Sequence, residues 1–192
     1  MDLSPIGWAM RPLKKYATFS GRASRAEFWW FFLFLVLVWV VFYATMFGTL
    51  FGARNAGTPP SAGFMGALGV AGFLLILFWL AMLIPSIAVG VRRLHDTDRS
   101  GWWLGGFYLL YGLYIVMLLG SMGSLMGGAM TGAAPNPAQV SGGMFAATMV
   151  LGLVMFVYAI ALFVFYCLPG TRGSNRFGPD PYDETNVGDV FA

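Results

Sequence analysis

Four segments of this 192-residue chain, 28–51, 64–89, 102–128 and 144–168, contain no Asp, Glu, Lys, Arg or His. Each exceeds the about 20 residues that a helix needs to cross about 30 Å of hydrocarbon. They read as four membrane-spanning helices, connected as two hairpins in an all-α polytopic protein. Composition agrees: 58% of residues are hydrophobic and 10% charged, against about 25% charged in soluble domains. Many of the aromatic residues flank the apolar runs, where such rings anchor at headgroup level. A nucleic-acid partner would require a basic face on a soluble module, and the chain has none.

Local chemistry sets the boundaries. Ser24-x-x-Glu27 before Phe28-Trp29-Trp30 fits a capping box, in which each side chain satisfies a backbone N–H at the helix start. The first span is therefore expected over 25–51. Residues 52–63, with Arg54, Asn55, Pro59 and Pro60, read as a loop. The second span, 64–89, holds Pro85, which should bend the helix and free a carbonyl for another partner. Within the third, 102–128, Gly120, Ser124, Gly127 and Gly128 recur at spacings that let helix backbones approach closely. Residues 129–143 read as a short uncharged loop, 144–168 as the fourth span, and 169–192 as a turn-rich tail that becomes acidic and disordered. The whole is expected to form one membrane domain, 1–192.

The segment 1–24 precedes the first span. Ser4-Pro5 is a helix start, and Ile6, Trp8, Met10, Leu13 and Tyr16 alternate with Arg11, Lys14 and Lys15, although Pro12 interrupts the stripe. An amphipathic segment lying in the interface and a basic leader that only fixes orientation fit equally well. The apolar run behind it is too long for a signal-peptide core, so the segment reads as retained. With four spans, ten of the eleven Lys and Arg residues fall on one side. The positive-inside rule makes that side the cytoplasm and puts both termini there.

Chemistry-bearing residues concentrate between the second and third spans, in Arg92-Arg93-Leu94-His95-Asp96-Thr97-Asp98-Arg99-Ser100-Gly101-Trp102-Trp103. This stretch reads as a tight charged turn at the membrane surface. His95 and Asp96 could form a general-base pair at the interface. The structural alternative, in which Asp96 and Asp98 pair with arginines among Arg92, Arg93, Arg99, Arg22 and Arg25 while Ser100 or Asp98 caps the next helix, is favoured several-fold. Three adjacent ligands rarely close a metal shell, so no metal and no cofactor are expected. Cys167, the single cysteine, excludes an intramolecular disulfide. Without an ionisable residue inside a span, ion-coupled transport is disfavoured. Arg25-x-x-Phe28-Trp29 and Arg99-x-x-Trp102-Trp103 echo each other faintly, as repeated anchors do.

Three ordered motifs go further. Gly21-Arg22-Ala23-Ser24-Arg25-Ala26-Glu27-Phe28-Trp29, then Arg92-Arg93-Leu94-His95-Asp96 with Arg99-Ser100-Gly101-Trp102-Trp103, then Gly170-Thr171-Arg172-Gly173-Ser174-Asn175-Arg176-Phe177-Gly178-Pro179-Asp180-Pro181 resemble the signatures of a bacterial inner-membrane family. It is the domain-of-unknown-function family 805, of YhaH/YhaI type. The resemblance covers about residues 8–181 and implies a small polytopic membrane protein, without an established activity to carry over. Asp98 departs from the small or neutral residue expected there, and Phe177 from the common tyrosine.

These readings converge on an integral plasma-membrane protein that acts as a non-enzymatic module. Its cytoplasmic segments would bind anionic phospholipid headgroups, a protein partner or a second copy of the chain, helix N-termini and forked arginines being suited to phosphate. The expected cluster comprises Arg22, Arg25, Glu27, Arg92, Arg93, His95, Asp96, Arg99, Trp102, Trp103, Arg172, Asn175 and Arg176. An interfacial lipid-acting enzyme using His95 and Asp96 is the alternative, and a small-solute pore or carrier the third.

Overall fold

A computed structural model of the chain describes residues 4–55, 61–130 and 142–182. They form α1 (Pro5–Lys14), α2 (Arg25–Asn55), α3 (Ala62–Asp96), α4 (Trp102–Met130) and α5 (Gly142–Cys167). Among the described residues, four helices are long and apolar enough to cross a membrane, over Arg25–Gly52, Gly63–Asp96, Trp102–Gly120 and Gly143–Cys167. The four expected spans are therefore present, with shifted ends. Two compact units divide the chain between Asp98 and Arg99 and again between Leu168 and Pro169.

The first unit holds α1, α2, α3 and the described part of the tail. Its second helix begins at Arg25 as the cap predicts, with the Ser24 hydroxyl accepting the Glu27 N–H at 3.1 Å. The return arm of the capping box does not form, because the Glu27 carboxylate turns to Arg92 and Arg11 instead. The third helix corrects the sequence reading most. Its 35 residues span about 50 Å at 1.5 Å per residue, well beyond the hydrocarbon thickness. It does not stop at residue 89 but continues through Arg92-Arg93-Leu94-His95-Asp96, so half of the supposed charged turn is helix. Only residues 97–101 remain to turn the chain. The acidic end of the tail, including Asp183, Glu184 and Asp189, lies outside the described residues, as do 56–60 and 131–141 of the loops that join the first span to the second and the third to the fourth.

The first segment is helical: α1 is capped by Ser4, whose hydroxyl accepts the Gly7 N–H at 3.2 Å. Its Arg11 and Lys14 lie in the last turn, where cations complement the helix dipole. Ala9 and Pro12 are buried, and the helix packs on both α2 and α3. Pro12 is tolerated within a helix this short, with the Lys15 N–H still bonding the Arg11 carbonyl at 3.1 Å.

Apolar packing in this unit centres on Ala23, Phe31, Leu35 and Val89, flanked by Leu13, Phe28, Phe34, Phe78, Trp79 and Met82. Farther along the helices, large apolar side chains such as Val41, Ile76 and Phe73 are exposed, which suits a lipid-facing surface. By contrast, Arg92, Arg93, Glu27 and Asp96 are among the largest fully buried side chains. Charge lies inside and hydrocarbon outside.

In the second unit α4 and α5 pair as an antiparallel hairpin. Trp103 packs edge-on against Phe165 at 5.3 Å, and its carbonyl accepts the Tyr158 hydroxyl at 2.7 Å. At the other end, a Cβ on Gly120 would come within 2.6 Å of the Met144 Cε. The Met144 methyl fills the space that a larger side chain at this position would take. The apolar stretch from Trp102 through Gly120 lies within α4, and the helix continues to Met130.

Candidate functional site

The charged end of the first unit joins three sequence motifs that lie far apart in the chain. Where residues 21–27 meet α3, the Ala23 N–H donates to the Arg92 carbonyl at 3.0 Å. The tail closes on the same place, with the Thr171 N–H donating to the Asp96 carbonyl at 2.8 Å.

Asp96 organises one half of this end. Its Oδ1 accepts from the Arg22 Nε at 2.9 Å, and its Oδ2 pairs with Arg93. All three side chains are almost completely inaccessible. An aspartate in the last turn of a helix opposes the dipole; the two guanidinium groups offset that penalty. Arg22 spends its remaining donors on the tail, with Nη1 to the Gly173 carbonyl at 2.6 Å and Nη2 to the Thr171 carbonyl at 2.5 Å. Asn175 adds a second tie through its amide, donating to the His95 carbonyl and to the Thr171 hydroxyl, each at 2.9 Å. The tail is thereby held in a tight turn, closed by reciprocal bonds between Asn175 and Gly178.

His95 is engaged elsewhere. Its ring stacks on Phe177 with centroids 3.9 Å apart and planes nearly parallel. The Nδ1 lies 3.2 Å from the Gly21 carbonyl, which can only accept, so Nδ1 carries the proton. Both Asp96 oxygens are on arginines, as the favoured reading of this stretch has it, and His95 makes its contacts elsewhere. Asp98 adopts a positive φ of 55°, which explains why a small or neutral residue suits this position: glycine and asparagine enter that conformation most readily. Its carboxylate and carbonyl receive Arg176 at 3.0 and 2.8 Å.

Glu27 organises the other half. Its Oε1 accepts from the Arg92 Nη1 at 2.6 Å, and its Oε2 lies 3.7 Å from the Arg11 Nε. Lys15 is close enough to feel this group. Its ammonium is held below the usual lysine range, chiefly by burial, with Glu27 opposing and the Arg11 and Arg92 cations reinforcing the shift.

Of the thirteen residues expected in the cluster, the structure joins Arg22, Glu27, Arg92, Arg93, His95, Asp96, Asn175 and Arg176 in these two halves. Arg25 stands exposed beside them, its backbone N–H donating to the Tyr182 hydroxyl at 3.2 Å, and Arg172 is exposed on the tail. Arg99, Trp102 and Trp103 belong to the second unit, where Arg99 lies over the Phe165 ring at 4.0 Å. The Ser100 hydroxyl accepts the Trp102 N–H at 3.3 Å, so of the two expected caps it is Ser100 that serves α4. Arg11, Lys15 and Gly170 were not among the expected site residues. A Cβ on Gly170 would overlap the Asp96 carboxylate, and only the Pro-Gly of the tail motif hinted at so close an approach. Among the described residues, no three His, Cys, Asp or Glu side chains are grouped to hold a metal.

Residues 16–179 match the model of a family described as protein of unknown function, DUF805. The chain is similar to the inner membrane protein YhaH of Escherichia coli (strain K12), with 28% identity over 176 residues covering 92% of this chain and 97% of YhaH. To the inner membrane protein YhaI of the same organism it is 29% identical over 174 residues, covering 91% and 94%. To the uncharacterized protein YiiR it is 30% identical over 167 residues, covering 86% and 87%. No solved structure matches the chain. The matched stretch takes in the first two motifs and the third up to Pro179.

Proposed function

The chain belongs to the family of unknown function DUF805 and is a multi-pass inner-membrane protein; from that premise we propose that it is a non-enzymatic module whose charged end faces the cytoplasm and binds anionic phospholipid headgroups. The observation that carries this reading is α1. One face, through Ala9 and Pro12, is buried in the unit, while Ile6 and Met10 are exposed. Basic side chains follow in the same helix, with Arg11 over the Trp8 ring at 5.4 Å. A helix fixed to membrane spans and presenting both apolar and basic side chains suits the headgroup boundary, where each Lys or Arg contributes about 1 kcal/mol of attraction to an anionic leaflet. The buried ion pairs around Asp96 serve to hold the loops in place. Their donors are spent on the chain itself, which argues against a catalytic role for His95 and Asp96.

The test is to purify the full chain with its native lipids and compare those retained with the bulk membrane extract by mass spectrometry. Enrichment of phosphatidylglycerol that fades with rising salt is the expected result. Retained lipid with the composition of the bulk extract would overturn the reading and turn attention to a protein partner.

A further inference from the structure

Resting on that reading, we propose a specific seat for one lipid phosphate: the group formed by Arg11, Lys15 and the open edge of Arg92, with Glu27 as its internal counter-charge. Arg92 is 1% exposed. Its Nη1 is taken by Glu27, yet Nε and Nη2 are buried with no hydrogen-bond partner. Arg22, in the other half of the same end, provides the contrast, since all three of its guanidinium nitrogens are engaged. Buried donors left unmade are costly. The two idle donors of Arg92 are moreover adjacent, forming the side-on fork with which arginine grips two oxygens of a phosphate or carboxylate.

Charge points the same way. Arg92 and Arg11 pair with a single carboxylate, Glu27, and Lys15 lies within electrostatic reach of all three. Three cations against one anion leave a surplus of positive charge that a phosphate diester would reduce. Arg11 provides the way in: its side chain is partly exposed, and its contact with Glu27, at 3.7 Å, is longer than the 2.6 Å one from Arg92. A free phosphate shares this chemistry, but the exposed Ile6 and Met10 of the same helix favour a phosphate that carries acyl chains.

The experiment uses the full chain in detergent, with phosphatidylglycerol, phosphatidylcholine and inorganic phosphate as separate probes. Lipid retention is read by native mass spectrometry and melting by intrinsic fluorescence. The wild type should retain one phosphatidylglycerol per chain, in preference to phosphatidylcholine. Replacing Arg11 and Lys15 together by Ala, both partly exposed, should weaken retention about tenfold, the scale of one charge-assisted hydrogen bond. Glu27→Gln should act in the opposite direction: it melts lower without lipid, holds phosphatidylglycerol more tightly than the wild type, and recovers its melting temperature with that lipid alone. If phosphatidylglycerol is preferred but neither variant changes its retention, the phosphate sits elsewhere and this inference falls while the function proposed above stands. If the wild type shows no preference between the two lipids, both fall. Recovery of Glu27→Gln by inorganic phosphate as fully as by phosphatidylglycerol would overturn the lipid assignment.

Discussion

The Tyr16 hydroxyl donates to the Ala81 carbonyl at 2.6 Å, across 65 positions of sequence. Ala81 lies four residues before Pro85, which sits inside α3 and has no N–H to give it. Tyr16 thus supplies the hydrogen bond that the proline withholds and ties the segment after α1 to the middle of α3. Tyr16→Phe should lower stability by about 1 kcal/mol. In a Pro85→Ala background, where the new N–H can satisfy Ala81, the same change should be nearly silent. Equal losses in both backgrounds, measured by melting in detergent, would show that the two groups are not coupled.

Asp96 and its neighbour His95 should separate sharply on mutation. Asp96→Asn leaves Arg22 and Arg93 facing a neutral amide at a buried site, and breaking a buried ion pair from one side typically costs about 3–5 kcal/mol. His95→Gln removes the stacking on Phe177, on the scale of about 0.5–1.5 kcal/mol for a ring pair. Denaturation of the two variants in detergent should rank them in that order. If both melt like the parent while neither restores a deletion strain, the structural role assigned to Asp96 is wrong and a catalytic pair must be reconsidered.

Gly170 is expected to be as sensitive as the charged residues. An added Cβ would meet the Asp96 carboxylate, which cannot move aside because Arg22 and Arg93 hold it. Gly170→Ala should cost about 1–3 kcal/mol, the range for overpacking, and should loosen the tail. Hydrogen exchange at the Thr171 N–H, bonded to the Asp96 carbonyl, reports this directly; unchanged protection would refute the close approach.

The cap at Ser24 is buried and bonds the Glu27 N–H. Ser24→Ala should lower stability by about 0.5–2 kcal/mol and speed exchange at the Glu27 amide. A parent-like exchange rate there would mean that the hydroxyl contributes nothing to the helix start.

Threading is tested with single cysteines in a Cys167→Ser background. Ala56→Cys and Ala138→Cys should react with an impermeant thiol reagent added to intact cells, whereas Ser20→Cys and Ser174→Cys should react only after lysis. Reaction of Ser20→Cys from outside would invert the orientation proposed here.

What the sequence determined by itself is everything that depends on short-range chemistry. The four spans follow from the absence of charge over stretches that lipid will accept only as helix. The start of α2 at Arg25 and of α1 at Pro5 follow from Ser24 and Ser4, whose caps act over three residues. Even the carbonyl freed by Pro85 was foreseeable, since the missing N–H is a property of proline. Its partner Tyr16 was not, nor was the run of α3 through Arg92, Arg93 and Asp96. Charges after an apolar run usually mark its end, and these remain helical because Glu27 and Arg22, 65 and 74 positions away, supply the opposite charges. Likewise the sequence offered five arginines, Arg22, Arg25, Arg92, Arg93 and Arg99, to Asp96 and Asp98; the tertiary structure gives Arg22 and Arg93 to Asp96, and pairs Asp98 with Arg176 of the tail, which is none of the five. Coulomb attraction has no register along the chain; which charges meet is decided by the packing of α1, α2, α3 and the tail, and that packing also leaves the buried Nε and Nη2 of Arg92 without a hydrogen-bond partner.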